Sequence, residues 1–554
     1  MKYKIFLLIL IISIPLFSED LLLDIIFTND IHGGIDKYEA TFINPNFPPM
    51  LGGGGSAATY IKSVRKLSDG VKRDNLLIDA GDIFQGHPIG TVTKGRAIIT
   101  YMNMIGYDLS VVGNHEYDIG EDSLKATYKL AKFPILSCNI LKKGTDELVD
   151  YVKPYIIIEK MGIKIGIIGV TTTDTKKMSF PENIKNIDII SAKEALEKYI
   201  PVVRKQNVDL IFVAAHLGIP YDPEPQYNIR YGDRKKSNRK RYWGYDAQEI
   251  AHEVSGIDVI FAGHIHKGFA KPWEDPITHT LVFQDYAYGS GLGHVILKID
   301  KETKSIAGYE LPAIREGAMV TLFEDEFIPD KIIADTILVM QKKAEKGMDE
   351  IIGEAAIHIS REGSGAQNLI GNLVCDAMLE ETDADFSFIN LGGVRDDLKR
   401  GPITYRDIFK VMPFDNQVVS FTCDGKFLKE IIEMRISGTH HGLRVAGVEV
   451  VYNRNRPDYD RITKLLIGGK PWKADKIYKV TTTDFLLQGN AGLSMLTKIP
   501  ETQVTRYGTS LREVLVNYIR RHSPVTSAID KRWKRDDTSE ISPELLKELK
   551  KAEK

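Results

Sequence analysis

Between residues 21 and 266 the chain repeats one pattern that few folds can satisfy: a short apolar run that stops on an acid, an asparagine or a histidine. Residues 21–28 run into Asn29-Asp30-Ile31-His32, residues 75–80 into Gly81-Asp82, and residues 109–112 into Gly113-Asn114-His115-Glu116. Residues 164–170 run into threonines, residues 208–215 into His216, and residues 257–262 into Gly263-His264-Ile265-His266. Short apolar runs bounded by turn signals read as buried strands. Helical patterns such as residues 191–206 lie between some of them, so the region reads as α/β. The polar clusters then sit at the carboxyl ends of the strands, where open α/β sheets place their ligand sites.

At 554 residues the chain is too long for one hydrophobic core. The strand repeat covers residues 21–325. Residues 329–346 read as an amphipathic helix with Ile332, Ile333, Ile337, Leu338 and Met340 on its apolar side, within a connector spanning 326–350. A second α/β or α+β region follows over 351–530, and 533–554 is a charged tail in which Ser542-Pro543-Glu544 marks a helix start. At the front, Lys2 and Lys4 precede an apolar run over 5–17 and the small Ser18. This reads as a signal peptide over 1–18, because the run is shorter than the roughly 20 residues of a membrane span. The expectation is a periplasmic or secreted protein with no stable membrane insertion after cleavage.

The formal net charge is −2, which gives no global field for binding a long polyanion, so nucleic acid is not expected as a partner. Three cysteines, Cys138, Cys375 and Cys423, make no disulfide framework and read as small buried hydrophobes. The stretch 221–243 carries Arg230, Arg234, Lys235, Lys236, Arg239, Lys240 and Arg241. It reads as a solvated loop, or as a basic rim that attracts phosphorylated substrates.

Asp30, His32, Asp82, Asn114, His216, His264 and His266 all fall at strand–loop junctions. Burying so many polar and charged groups without a counter-charge is unfavourable, and a pair of divalent cations would supply that charge. The donors are carboxylate, amide and imidazole, with no thiolate. Zn, Mn, Co or Fe suit such a set, and Mg suits it less well. Asp82 follows a strand between the two donor groups and is the choice for a bridging carboxylate.

At this point the motifs become recognisable. Asn29-Asp30-Ile31-His32-Gly33, Gly81-Asp82, Gly113-Asn114-His115-Glu116-Tyr117-Asp118 and Gly263-His264-Ile265-His266 resemble the calcineurin-like metallophosphoesterase signature in kind and in order. Asn368–Ala377, Asn390-Leu391-Gly392-Gly393-Val394-Arg395, Gly401-Pro402-Ile403-Thr404, Met412-Pro413-Phe414-Asp415-Asn416 and Thr483-Asp484-Phe485 resemble the nucleotidase C-terminal domain. The chain thus resembles the 5′-nucleotidase / UDP-sugar hydrolase family over roughly 22–525. The resemblance implies an N-terminal β-sandwich flanked by helices, in four α/β/β/α layers, and a smaller α/β C-terminal domain. It implies one metal held by Asp30, His32, Asp82 and His266, and a second held by Asp82, Asn114, His216 and His264. His115 would contact the phosphoryl group, with Asp118 holding its tautomer. Phe414 and Phe485 would stack the base, Arg395 would contact phosphate, Asn390 and Asn416 the nucleoside, and Gly392 and Gly393 would allow close backbone approach.

The chain departs from the family pattern in places. Exported relatives often carry Gln or Asn where this chain has His266. The ribose-gripping Asp of a Gly-Gly-Asp-Gly motif is replaced by Ala491 in Gly489-Asn490-Ala491-Gly492, and the Arg expected just before the Gly-Asn-Leu motif is missing, Arg361 being the nearest. The expected activity is hydrolysis of nucleotide phosphoesters, nucleoside monophosphates and UDP-sugars, by attack of a metal-bound hydroxide on phosphorus. The alternatives are a 2′,3′-cyclic-nucleotide phosphodiesterase, a sulfur-ester hydrolase on the same scaffold, and a non-catalytic surface binding protein.

Overall fold

The computed structural model describes residues 20–40, 42–44, 47–232, 244–312, 316–363, 367–437 and 443–552. The signal-peptide reading falls outside them, as do Arg234, Lys235, Lys236, Arg239, Lys240 and Arg241 of the basic stretch. Among the described residues no helix is long and apolar enough to cross a membrane.

The N-terminal domain is two sheets packed face to face. In the first, Leu21–Thr28 lies between Arg73–Asp79, parallel to it, and Gly291–Ile299, antiparallel. In the second, Ile163–Thr171, Leu210–His216, Val259–Phe261 and Leu281–Phe283 run parallel, with antiparallel strands on both edges. Successive side chains on a strand point to opposite faces, and the sequence sorts itself accordingly. Leu23, Ile25 and Phe27 join Ile165, Ile167, Phe212 and Phe261 in the core between the sheets. Ile26 instead meets the outer helices through Ile61 and Ile98. On the far side, Ile168, Val170, Ile211 and Val213 pack on Ala195, Leu196, Ile200 and Val203 of a helix. Helix, sheet, sheet, helix gives the four layers the sequence implied.

The connector is a helix over Lys331–Ala344, capped by the Asp330 side chain accepting from Ile333 N. Its apolar stripe is narrower than the sequence reading made it. Ile333 and Ile337 are buried, whereas Ile332 and Leu338 are 72% and 45% exposed. The facing helix is Gly53–Arg65, whose first turn is glycine. A methyl group on Gly54 would sit 2.9 Å from Ile337 Cδ1, so the glycine leaves the space that the Ile337 side chain fills.

The C-terminal domain holds a five-stranded sheet in the order Leu443–Ala446, Phe386–Asn390, Ile477–Thr483, Gln417–Asp424, Val504–Ser510. A four-stranded sheet lies beside it. The charged tail packs onto this domain, and the helix expected from Ser542-Pro543-Glu544 is present. Trp533–Arg535 is a strand parallel to Val448–Tyr452, and helix Pro543–Ala552 buries Leu545. Lysines and glutamates dominate the tail's composition, but its few apolar side chains complete a core. All three cysteines are free: Cys138 and Cys375 are buried and Cys423 is half-buried.

Candidate metal centre

Every N-terminal candidate arrives at one point because each ends a strand at the same edge of the sandwich. Asp30 and His32 follow Leu21–Thr28, Asp82 follows Arg73–Asp79, His216 ends Leu210–His216, and His264 and His266 follow Val259–Phe261. Five of these residues take left-handed backbone: Asp30, His32, Asp82, His264 and His266 have φ of 51°, 48°, 59°, 79° and 59°. Non-glycine residues rarely adopt it, at about 1–3 kcal/mol each, and such strain gathers at functional sites.

Two donor clusters form. Single ligand atoms of Asp30, His32, Asp82 and His266 lie within 4.8 Å of one another, as do those of Asp82, His216 and His264. Asp82 belongs to both. Its Oδ2 is 3.8 Å from His32 Nε2 and 3.0 Å from His216 Nε2. Asn114 Oδ1 joins the second cluster, 3.1 Å from His216 Nε2.

The tautomers follow from second contacts. His32 Nδ1 lies 2.5 Å from Gln85 O and His216 Nδ1 2.8 Å from Ala80 O. A carbonyl only accepts, so each Nδ1 carries a proton; His32 Nε2 presents a lone pair inward, and His216 Nε2 does so once a cation displaces the proton it shares with Asp82. His32 Nε2 then faces His266 Nε2 at 2.9 Å, and Asp30 Oδ1 is buried with no hydrogen-bond partner. Burial pushes His32 and His266 well below the usual imidazole range and His264 to about 3, so these rings are neutral. Burial opposes charge on His216 too, but the Asp82 carboxylate outweighs it and holds His216 up at about 10. Converging lone pairs, an orphaned carboxylate oxygen and an anionic Asp82 make a site that fits divalent cations.

His115 stands beside this centre. Its Nδ1 is 2.6 Å from Asp118 Oδ2, and Asn183 Nδ2 steadies Asp118 through its backbone oxygen at 3.1 Å. Arg395 of the C-terminal domain reaches across, Nη2 3.1 Å from His115 Nε2. Phe414 stacks on the His115 ring at 5.4 Å and lies under the Arg395 guanidinium. Phe485 meets Phe180 edge-on at 5.8 Å, so the two aromatic candidates have separate partners on the N-terminal domain. Asn390 ends its strand with Oδ1 buried and unpartnered, folded back over Gly392 and Gly393, and Asn416 is buried. A cavity of 1470 Å³ opens between the domains and the connector, reaching His266, Arg395 and Arg361.

Three contributors escaped the sequence reading. Glu116 is fully buried and accepts from Asp82 N at 3.2 Å, Ile83 N at 2.7 Å and Gly113 N at 2.6 Å, tying together the loops that carry Asp82 and Asn114. The only signal was its place inside the Asn114–Asp118 motif. Tyr288 packs its ring against His32 and His266 at 5.4 and 5.3 Å, and its N–H donates to Asp30 O. Nothing in the sequence marked it. Arg361, passed over for its spacing, donates from Nη1 to Arg395 O at 2.5 Å and has a buried, unpartnered Nε. Of the basic stretch, Arg230 pairs with Asp246 at 2.6 Å.

Comparison with known proteins agrees with this geometry. Residues 23–268 match the calcineurin-like phosphoesterase family and residues 351–498 the 5′-nucleotidase C-terminal domain. The 5′-nucleotidase of Vibrio parahaemolyticus is 29% identical over 471 residues, 81% of this chain and 82% of that one. Endonuclease YhcR of Bacillus subtilis is 28% identical over 95% of this chain, which spans 42% of that protein's length. The solved 5′-nucleotidase precursor of Thermus thermophilus has the same fold, with a TM-score of 0.79 at 23% identity, covering 93% of this chain and 99% of that one. With its two domains in this order, the chain belongs to the 5′-nucleotidase / UDP-sugar hydrolase family of calcineurin-like metallophosphoesterases.

Proposed function

We propose that the protein is an exported two-metal phosphohydrolase that cleaves nucleotide phosphoesters, nucleoside monophosphates and UDP-sugars. The observation that carries this is the shared carboxylate: Asp82 stands within one ligand-atom cluster with Asp30, His32 and His266 and within another with His216 and His264. Asp30, His32, Asp82 and His266 would hold one cation, and Asp82, Asn114, His216 and His264 the other. When bound, such a pair supplies Lewis acidity and lowers the pKa of water at the site.

The chain's own groups do the rest. With its Nδ1 proton held by Asp118, His115 accepts at Nε2 from Arg395 Nη2. An anionic phosphoryl oxygen there would be met by the Arg395 guanidinium, and by His115 once its Nε2 also carries a proton. Arg361 buttresses Arg395 from behind. Phe414 and Phe485 supply planar faces for a base, worth about 1–3 kcal/mol per stacked base. Asn390 and Asn416 would address the nucleoside, and the small Gly392 and Gly393 would leave room for it. The C-terminal domain, reaching His115 through Arg395 and Phe414, would screen the reacting centre from water. Export is supported by the basic, apolar and small-residue succession of residues 2–18.

The test is product release, followed by chromatography, from AMP, UDP-glucose, 2′,3′-cyclic AMP and bis-p-nitrophenyl phosphate with Mn or Zn, before and after EDTA, beside Asp82→Ala. Release from AMP or UDP-glucose that is lost with EDTA and in the variant is the expected result. Activity confined to the two diesters would overturn the substrate assignment. No metal-dependent release from any of the four would overturn the hydrolase reading itself.

A further inference from the structure

Inside the C-terminal domain, away from the metal centre, two arginines are buried without an acid. Arg435, in the last turn of helix Gly425–Ile436, and Arg444, in strand Leu443–Ala446, are 6% and 4% exposed. Both turn to the same acceptor: Leu443 O receives Arg435 Nε at 3.0 Å and Arg444 Nη1 at 3.3 Å. The stem of Arg444 lies on the first turn of helix Leu369–Thr382, where a methyl group on Gly371 would come 2.5 Å from its Cγ. Arg444 Nε is buried with no hydrogen-bond partner. Trp533 Nε1 is also buried and unpartnered, and the Trp533 ring lies 6.0 Å from the Arg435 guanidinium carbon.

Interior arginines are normally paired, because an unpaired buried charge is strongly unfavourable. Here, among the described residues, neither arginine forms an ion pair. The nearest acids of this domain are engaged elsewhere: Asp376 and Asp530 hold Arg532 at 3.0 and 2.8 Å, and Glu433 holds Lys429 at 3.0 Å. Burial, reinforced by the Arg444 charge, lowers Arg435 to about 10, and burial lowers Arg444 as well. One backbone carbonyl shared by two guanidinium groups satisfies a donor from each and neutralises neither. A buried water on Arg444 Nε would satisfy that atom and leave both charges in place.

We propose that Arg435, Arg444 and the Trp533 indole N–H hold a small inorganic anion in the C-terminal domain. Guanidinium forks suit oxyanions such as phosphate or sulfate, and the same donors take a halide. The site is structural or regulatory, and it is independent of the function proposed above.

The full chain carrying Asp82→Ala, treated with EDTA, removes the metal centre as a competing anion site. In that background thermal unfolding is followed against phosphate, sulfate and chloride at constant ionic strength, with calorimetric titration of inorganic phosphate. The expected result is a saturable rise in midpoint with one anion bound per chain, absent when Arg444→Gln is added. The order of potency among the three identifies the anion. Should Arg444→Gln fail to fold, Trp533→Phe in the same background reads the site instead: anion-dependent tryptophan fluorescence present in its parent disappears. No saturable shift with any of the three anions, or an equal shift with Arg444→Gln, overturns the proposal.

Discussion

Glu116 offers the sharpest test of how the metal loops are held. Its carboxylate accepts from the N–H groups of Asp82, Ile83 and Gly113 at 3.2, 2.7 and 2.6 Å, in full burial. Replacing it with alanine leaves three buried donors without acceptors. Each is worth about 1–3 kcal/mol, and neighbouring losses do not simply add, so Glu116→Ala should lose about 3–6 kcal/mol of stability. Glu116→Gln keeps one acceptor oxygen but turns an NH₂ toward N–H groups, and should lose about half as much. Asp82 and Asn114 ride on the loops Glu116 joins, and a misplacement of about 1 Å at a reacting centre lowers rate roughly a hundredfold. Urea unfolding gives the stability of each variant, and steady-state phosphate release gives kcat and KM. An alanine variant within about 1 kcal/mol of the parent and with full kcat would refute the idea that this carboxylate sets the loops.

Further predictions follow from single contacts. Asp118→Asn removes the carboxylate that holds the His115 Nδ1 proton, and should lower kcat by about 10²–10⁴ with KM little changed; equal loss in KM would place Asp118 in substrate binding instead. Burial alone would raise Asp24, but hydrogen bonds from His294 and Arg73 hold it below its ordinary value of 3.8. Its folded pKa is thus depressed, so its stabilisation is present above about pH 4 and lost as the pH falls through the folded value. Asp24→Asn should flatten the acid limb of a stability–pH curve, and an unchanged limb would contradict the assignment. Gly54→Ala places a methyl group 2.4 Å from Tyr101 and 2.9 Å from Ile337, and should destabilise the connector contact by about 1–3 kcal/mol in urea unfolding.

The metal centre was legible in the sequence because its side chains end strands, and strand ends are visible as breaks in apolar runs. The period-two sorting of Ile25 from Ile26 between two cores follows from the same alternation. What the sequence hid are residues that serve backbone. Glu116 answers N–H groups of two loops, and Tyr288 fixes Asp30 through its own N–H. Neither need leaves a periodic trace. Arg361 was passed over because its spacing from the Gly-Asn-Leu motif differs from the family pattern, yet its side chain reaches Arg395. The connector's apolar side was overread because periodicity counts Ile332 and Leu338 as core, whereas Ile333 and Ile337 are buried, Met340 packs part-buried on the same core, and Ile332 and Leu338 stay exposed. Composition likewise concealed that Trp533 and Leu545 carry the charged tail into a core.

The most direct measurement of the central claim is metal content. Protein prepared with Mn or Zn in excess, freed of loose metal by gel filtration, is analysed by inductively coupled plasma mass spectrometry beside Asp82→Ala. Because Asp82 serves both clusters, the account predicts two metal ions per chain in the parent and fewer than one in the variant. Fewer than one ion per chain in the parent, or two retained in Asp82→Ala, would contradict it.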